Sequence, residues 1–202
     1  PIQLSAEYLK SKSKSKEDKS YADTIIKKVA SIENMVDEFS MFAKLPSPKF
    51  GTIKLNKLCS DLILFHKKSN KKIKFLSTNL NKVLFIKIDE IQISMAISNL
   101  IQNSIESINE NQSKNKRFNG KINLSIYLKK GNVYIKIDDN GGGLPKNFPK
   151  NEILEPYITT KKKGSGLGLA IVLKIIQEHN GNFYINDKKN GTTALIELPK
   201  NI

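Results

Sequence analysis

Lys161-Lys162-Lys163-Gly164-Ser165-Gly166-Leu167-Gly168-Leu169-Ala170 decides how this chain is read. Three glycines at every second position run into an apolar segment, Leu167–His179, whose spacing predicts a helix. Glycines just before a helix leave backbone amides uncovered, and the first helical turn favours anions. The lysines ahead of them add positive charge. Physically this is a phosphate cradle; the plain alternative is a solvated lysine run followed by a helix-start turn. Neither the P-loop pattern G-x-x-x-x-G-K-[ST] nor the dinucleotide pattern G-x-G-x-x-G is present.

Two upstream segments bear on that reading. Ile137-Asp138-Asp139-Asn140-Gly141-Gly142-Gly143-Leu144-Pro145 puts carboxylates at a strand end, followed by three glycines. A carboxylate can accept a hydrogen bond from an exocyclic amine, and glycines admit a ligand close to the backbone. A simple glycine-rich turn would look the same. Asn99-Leu100-Ile101-Gln102-Asn103 carries two Asn four apart, on one face of a helix. Amide oxygens suit a hard cation such as magnesium, and a merely polar helix face is the alternative.

Around these segments the chain alternates between periods. Thr52–Leu55, Ile73–Leu76 and Val83–Ile88 read as strands, and Asn56–Lys67 and Asp89–Asn109 as helices. Ile122–Leu128 and Val133–Asp138 alternate with period two across Lys130-Gly131-Asn132, a hairpin signal. Asn182–Ile185 and Thr193–Leu198 form a second pair around Asn190-Gly191. The expectation is an α+β fold, a sandwich with helices on one face of a sheet.

The first 49 residues differ. Pro1–Lys10 reads as a helix and Lys10–Lys19, rich in Lys and Ser, as a flexible connection. From Ser20 to Lys44, Ile25, Val29, Ile32, Val36, Phe39 and Ala43 fall at spacings that trace a heptad seam. Such a stripe wants partner helices, so a helical hairpin that dimerises into a four-helix bundle is expected. Leu45-Pro46-Ser47-Pro48 stops the helix. The division is therefore 1–49, helical hairpin, and 50–202, sheet domain.

Composition narrows the partners. The net charge is +15, but the lysines are spread along the chain without interleaved aromatics, so nucleic-acid binding is not expected. Cys59 is the only cysteine, which excludes an internal disulfide and a Cys-based zinc site. No apolar run is long enough to span a bilayer. The chain is expected to be soluble and cytoplasmic, with any membrane anchor upstream in a longer protein.

In this order the three segments resemble the GHKL (Bergerat) ATPase fold. Glu155-Pro156-Tyr157-Ile158-Thr159-Thr160-Lys161, with the glycine segment, is similar to sensor histidine kinases of the nitrogen-regulation, NtrY-like type. Gly191-Thr192-Thr193, Glu197-Leu198-Pro199 and Pro1-Ile2-Gln3-Leu4-Ser5-Ala6-Glu7 fit the same family. The resemblance implies ATP and Mg2+, a homodimer, and a response-regulator receiver domain as partner. It implies that Asn103 holds magnesium and that Asn99 lies beside the nucleotide. Asp139 would bind the adenine amine, Gly141 and Gly143 would admit the base, and Thr192 would support its recognition. Gly164, Gly166 and Gly168, with Leu167 between them, would wrap the phosphates, and Lys161 or Lys163 would reach the terminal one. Met95 replaces a polar residue that many relatives carry, which implies weak ATP hydrolysis. Leu154 stands where Phe is common in the lid. The phosphoacceptor histidine would precede Pro1, so the chain reads as part of a longer kinase; His66 and His179 lie in helices of the ATPase domain and lack an acidic follower. The rival readings are a free-standing ATPase or serine kinase, and a nucleotide-sensing module without catalysis.

Overall fold

The structure, a computed structural model, describes all residues except 81, 146–148, 150–151, 162–163 and 201–202, and residue 34 without its side chain. Two helices lead: α1 (Ile2–Lys12) and α2 (Lys16–Ala43). They pack as a hairpin through the small residues Ala6 and Ala22, both buried. The flexible connection expected over Lys10–Lys19 shrinks to Ser13–Ser15. The reason is a cap. Ser15 Oγ accepts from the amides of Glu17 (3.1 Å) and Asp18 (3.3 Å), and both acids sit in the first turn, where the helix dipole favours them. Ile25, Ile32, Val36 and Phe39 of the seam stay 42–61% exposed, uncovered by α1.

After the prolines come β1 (Gly51–Lys54), α3 (Leu55–Ser69), β2 (Lys74–Thr78), β3 (Phe85–Ile88), α4 (Glu90–Lys114), β4 (Lys121–Lys129) and β5 (Asn132–Asp139). A 3-10 turn (Glu152–Leu154), α5 (Gly168–Glu178), β6 (Asn182–Lys188) and β7 (Gly191–Pro199) complete the chain. Five strands form one sheet in the order β2-β4-β5-β7-β6, with β2 parallel to β4 and every other pair antiparallel. β1 and β3 make a separate antiparallel pair. The sheet's period-two pattern points Ile122, Leu124, Val133, Ile135, Ile137, Ile196 and Leu198 at α3, α4 and α5. From the helices Ile93, Ile97, Leu100, Ile101, Ile171 and Ile175 meet them. Each such side chain contributes about 1.5–3 kcal/mol on burial. The other face is polar: Glu197 accepts from Asn132 (2.7 Å), Tyr134 (2.6 Å) and Tyr184 (3.2 Å). This is the α+β sandwich that the sequence predicts.

The proline segment is clamped. Gln92 Nε2 donates to Pro46 O (2.8 Å), and the Lys49 amide donates to Asp89 Oδ2 (2.7 Å). Asp89 Oδ1 also caps α4 by accepting from the Gln92 amide (3.0 Å). Behind it, His179 is fully buried; its Nε2 accepts from the Asp89 amide (3.0 Å) and its Nδ1 donates to Ile175 O (2.8 Å). A carbonyl can only accept, so the ring is the neutral Nδ1–H tautomer.

Burial holds the pKa of His179, and also that of His66, below the ordinary imidazole value. The unfolded chain therefore takes up protons first as pH falls, and folding stability drops with it. Stability should be flat above about pH 6.5 and decline from there towards the depressed folded value. Thermal melts from pH 8 to 5 read this directly, with a shallower slope expected for His179→Asn; a melting temperature flat to pH 5 would contradict it.

Candidate functional site

Asp139 ends β5 at a core-facing position and is 8% exposed. Its Oδ1 accepts from the amides of Gly141 (2.7 Å) and Thr192 (3.3 Å), and its Oδ2 from Ser104 Oγ of α4 (3.2 Å). Burial raises its pKa, and these hydrogen bonds oppose that rise. The glycine turn after it lies against α4, where Ser107 Oγ accepts from the Gly142 amide (2.8 Å). A Cβ on Gly141 would come 2.3 Å from Ser107 Oγ, so the helix demands glycine there.

Across a cavity of about 950 Å3, lined by both Asp139 and Gly168, lies the start of α5. Among the described residues no side chain caps that helix. Ser165 Oγ instead accepts from the Leu167 amide (3.1 Å), and Ser165 also bonds to Glu38 of α2. Between the two ends, Asn103 and Glu106 project from α4. Lys161 Nζ donates to Asn103 Oδ1 (2.8 Å) and to Glu106 Oε2 (2.5 Å). An amide oxygen and a carboxylate thus share one cation, a donor set that suits magnesium. Among the described residues no group of three or more His, Cys, Asp or Glu could hold a metal ion, so a cation here would keep water or ligand oxygens.

Asn99, Asn103, Asp139, Gly143, Lys161, Gly164, Gly166, Gly168 and Thr192 all line this one cavity. Two expected residues do not. Gly141 lies under Ser107, and Leu167 is 1% exposed in the core, where it anchors the loop rather than wrapping a ligand. Lys163 lies outside the described residues. Ser104, Ser107, Glu106 and Glu38 escaped the sequence reading. Glu106 and Ser107 lie one turn from Asn103 by helical spacing, a positional signal that was available; Ser104, its sequence neighbour, and Glu38, on another helix, offered none. His66 is buried, with Nε2 3.2 Å from Ser98 Oγ. Among the described residues no helix is long and apolar enough to cross a membrane.

Comparison with known proteins identifies the chain's relatives. Residues 88–202 match the histidine kinase-, DNA gyrase B-, and HSP90-like ATPase family. The chain is 37% identical to nitrogen regulation protein NtrY of Azorhizobium caulinodans over 98% of its own length and 26% of that relative's. It spans about a quarter to a third of the NtrY-like relatives it matches. The catalytic domain of histidine kinase ThkA is similar, with 30% identity and a TM-score of 0.65 over 76% of this chain and 97% of that one. Histidine kinase ThkA in complex with response regulator protein TrrA has 27% identity and a TM-score of 0.76, over 98% of this chain and 56% of that one.

Proposed function

Because the chain belongs to the histidine kinase-, DNA gyrase B-, and HSP90-like ATPase family, we propose that its cavity binds ATP as the catalytic part of a two-component sensor kinase. The γ-phosphoryl group would pass to a histidine of the kinase, and from there to an aspartate of a response-regulator receiver domain. One observation carries this reading: a buried carboxylate and an uncapped helix start face each other across one cavity, with Asn103 between them. Asp139 and Thr192 read the adenine, with Asn99 beside the nucleotide. The amides of Gly164 to Gly168 cradle the phosphates, and Asn103, with Glu106 close by, holds Mg2+. When bound, magnesium supplies charge neutralisation for the phosphates. Lys161 bridges Asn103 and Glu106 in the structure, and once released it is within the cavity that would hold the terminal phosphate. Catalysis of this kind is chiefly positioning and electrostatics. The similarity to histidine kinase ThkA in its complex with response regulator protein TrrA supports a receiver-domain partner. Any membrane anchor would belong to segments outside this chain.

The test supplies the acceptor in trans. The chain is incubated with γ-labelled ATP and magnesium, with and without a helical hairpin carrying the family's histidine. Acid-labile label is expected on the hairpin only, rising with hairpin concentration, because binding must replace a covalent tether. Asn103→Ala should lower transfer by roughly 100-fold or more. Acid-labile label on the chain alone would overturn the assignment of His66 and His179 as structural. No label on the hairpin, despite ATP binding, would favour a non-catalytic nucleotide sensor.

Residues 1–49 are proposed to form half of a dimeric four-helix bundle, supported by the exposed seam on α2. Sedimentation should give a mass about twice 22.8 kDa, and starting the chain at Phe50 should abolish it. A monomer at high concentration argues against a bundle held by these residues alone.

A further inference from the structure

We propose that Ser104 is a positioning residue for base recognition: its hydroxyl aims Asp139 Oδ2 at a purine 6-amino group and so sets the preference for adenine. The inference rests on the cavity being an adenine-nucleotide site and names a determinant of its selectivity.

The two carboxylate oxygens of Asp139 are not equivalent. Oδ1 is held by two backbone amides, Gly141 at 2.7 Å from the turn and Thr192 at 3.3 Å from β7. Oδ2 has one partner among the described residues, Ser104 Oγ at 3.2 Å. A carboxylate pinned at one oxygen can still swing about χ2, a broad torsion. The second contact fixes its plane. Ser104 is itself only 6% exposed and follows Asn103 on α4, so its backbone is rigid.

The Ser104 hydroxyl has one proton and two acceptors in reach, Asp139 Oδ2 and Leu100 O at 3.1 Å. The charged acceptor makes the stronger bond. A carboxylate oxygen can accept twice, so Oδ2 can keep Ser104 and still receive an amine from the cavity side. A purine bearing no 6-amine leaves that second position empty. Removing Ser104 also removes one of the hydrogen bonds that oppose the burial-raised pKa of Asp139, so binding should fail at a higher pH.

The same helix provides a contrast. Ser107, one turn on, accepts from the Gly142 amide, and among the described residues it makes no hydrogen bond to Asp139. It sets the loop without setting the carboxylate.

Titration calorimetry of the full chain with ATP and with purine riboside triphosphate, which lacks the 6-amine, separates the roles. Ser104→Ala keeps a good helix former in place. It should weaken ATP by about tenfold, the scale of a hydrogen bond to a charged group. Purine riboside triphosphate should stay within about twofold, so that discrimination collapses. Ser107→Ala should weaken both ligands alike. Equal losses for both ligands in Ser104→Ala, or none, would overturn the proposal while leaving the nucleotide reading intact. Collapse of discrimination in Ser107→Ala would overturn the assignment to Ser104. A wild-type chain that binds no ATP overturns the nucleotide reading, and this inference with it.

Discussion

Asp139→Ala should weaken ATP binding by roughly 100-fold or more. The lost bond to the adenine amine is charge-assisted, on the order of 1.5–3 kcal/mol. Truncation also strands two donors that converge on this carboxylate, the amides of Gly141 and Thr192, while the Ser104 hydroxyl falls back on Leu100 O. Left unpaired in a buried place, each costs about 1–3 kcal/mol. The turn they hold forms one wall of the base site, so the damage reaches beyond a single bond. Asp138→Ala is the matched comparison. Asp138 lies on the opposite side of the strand, paired with Lys136, Lys188 and Thr193, and its loss should change affinity by no more than about twofold. Affinity for wild type should also fall at acid pH, because protonation of Asp139, whose pKa is raised by burial, turns an acceptor into a donor. Titration of a fluorescent ATP analogue against both variants, at pH 7 and below, decides the matter; similar affinities for wild type and Asp139→Ala would refute the adenine assignment.

Gly166→Ala should weaken nucleotide binding severely, through the backbone alone. Gly166 has φ +75°, which L residues rarely adopt. Its missing Cβ would lie 2.5 Å from Tyr157 C and 2.8 Å from Ile158 N. Main-chain atoms cannot rotate away as a side chain would. Gly166 O accepts from the Tyr157 amide (3.1 Å), so the substitution must pull the phosphate loop from the segment before it. The rest of the domain should hold, because Leu167 and α5 are anchored in the core. Expected are a loss of ATP affinity on the order of 100-fold and a melting temperature lower by only a few degrees, about 1–2 kcal/mol for a chain of this size. Retained affinity would show that the loop's conformation is irrelevant to the ligand; global unfolding would show that it is part of the core.

Much of this was legible in the sequence, where local chemistry dictated the outcome. The hairpins β4–β5 and β6–β7 were read from alternation around Gly131 and Gly191, and α4 from its apolar stripe. What depended on distant partners was not. Nothing near Lys74–Thr78 states that β2 lies parallel to β4, because the crossover between them is long. The Lys-Ser run looked structureless because its composition hid a cap: one serine and two acids outweighed the lysines. In the site, Asn, Asp and Gly announced themselves by type. Ser104 and Ser107 did not, since serine becomes informative only when a carboxylate or an amide is brought opposite. Lys161 is expected near phosphate, whereas its bridge between Asn103 and Glu106 depends on the loop meeting α4.

The clamp on the proline segment changes what kind of joint connects the helices to the sheet domain. α2 ends at Ala43, and the chain is already fastened at Pro46 by Gln92 and at Lys49 by Asp89. Only Lys44 and Leu45 lie between, with a fully extended reach of roughly 7 Å, and Leu45 is packed against the core. Such a strap does not let the domain wander through a volume, as a polymer tether would. While the clamp holds it would act as a hinge pin, and a nucleotide in the cavity would sweep an arc rather than fill a volume. Local concentration at an acceptor would then depend on angle rather than on linker length. Lengthening the segment between Lys44 and Pro46 would exchange that arc for a diffuse cloud.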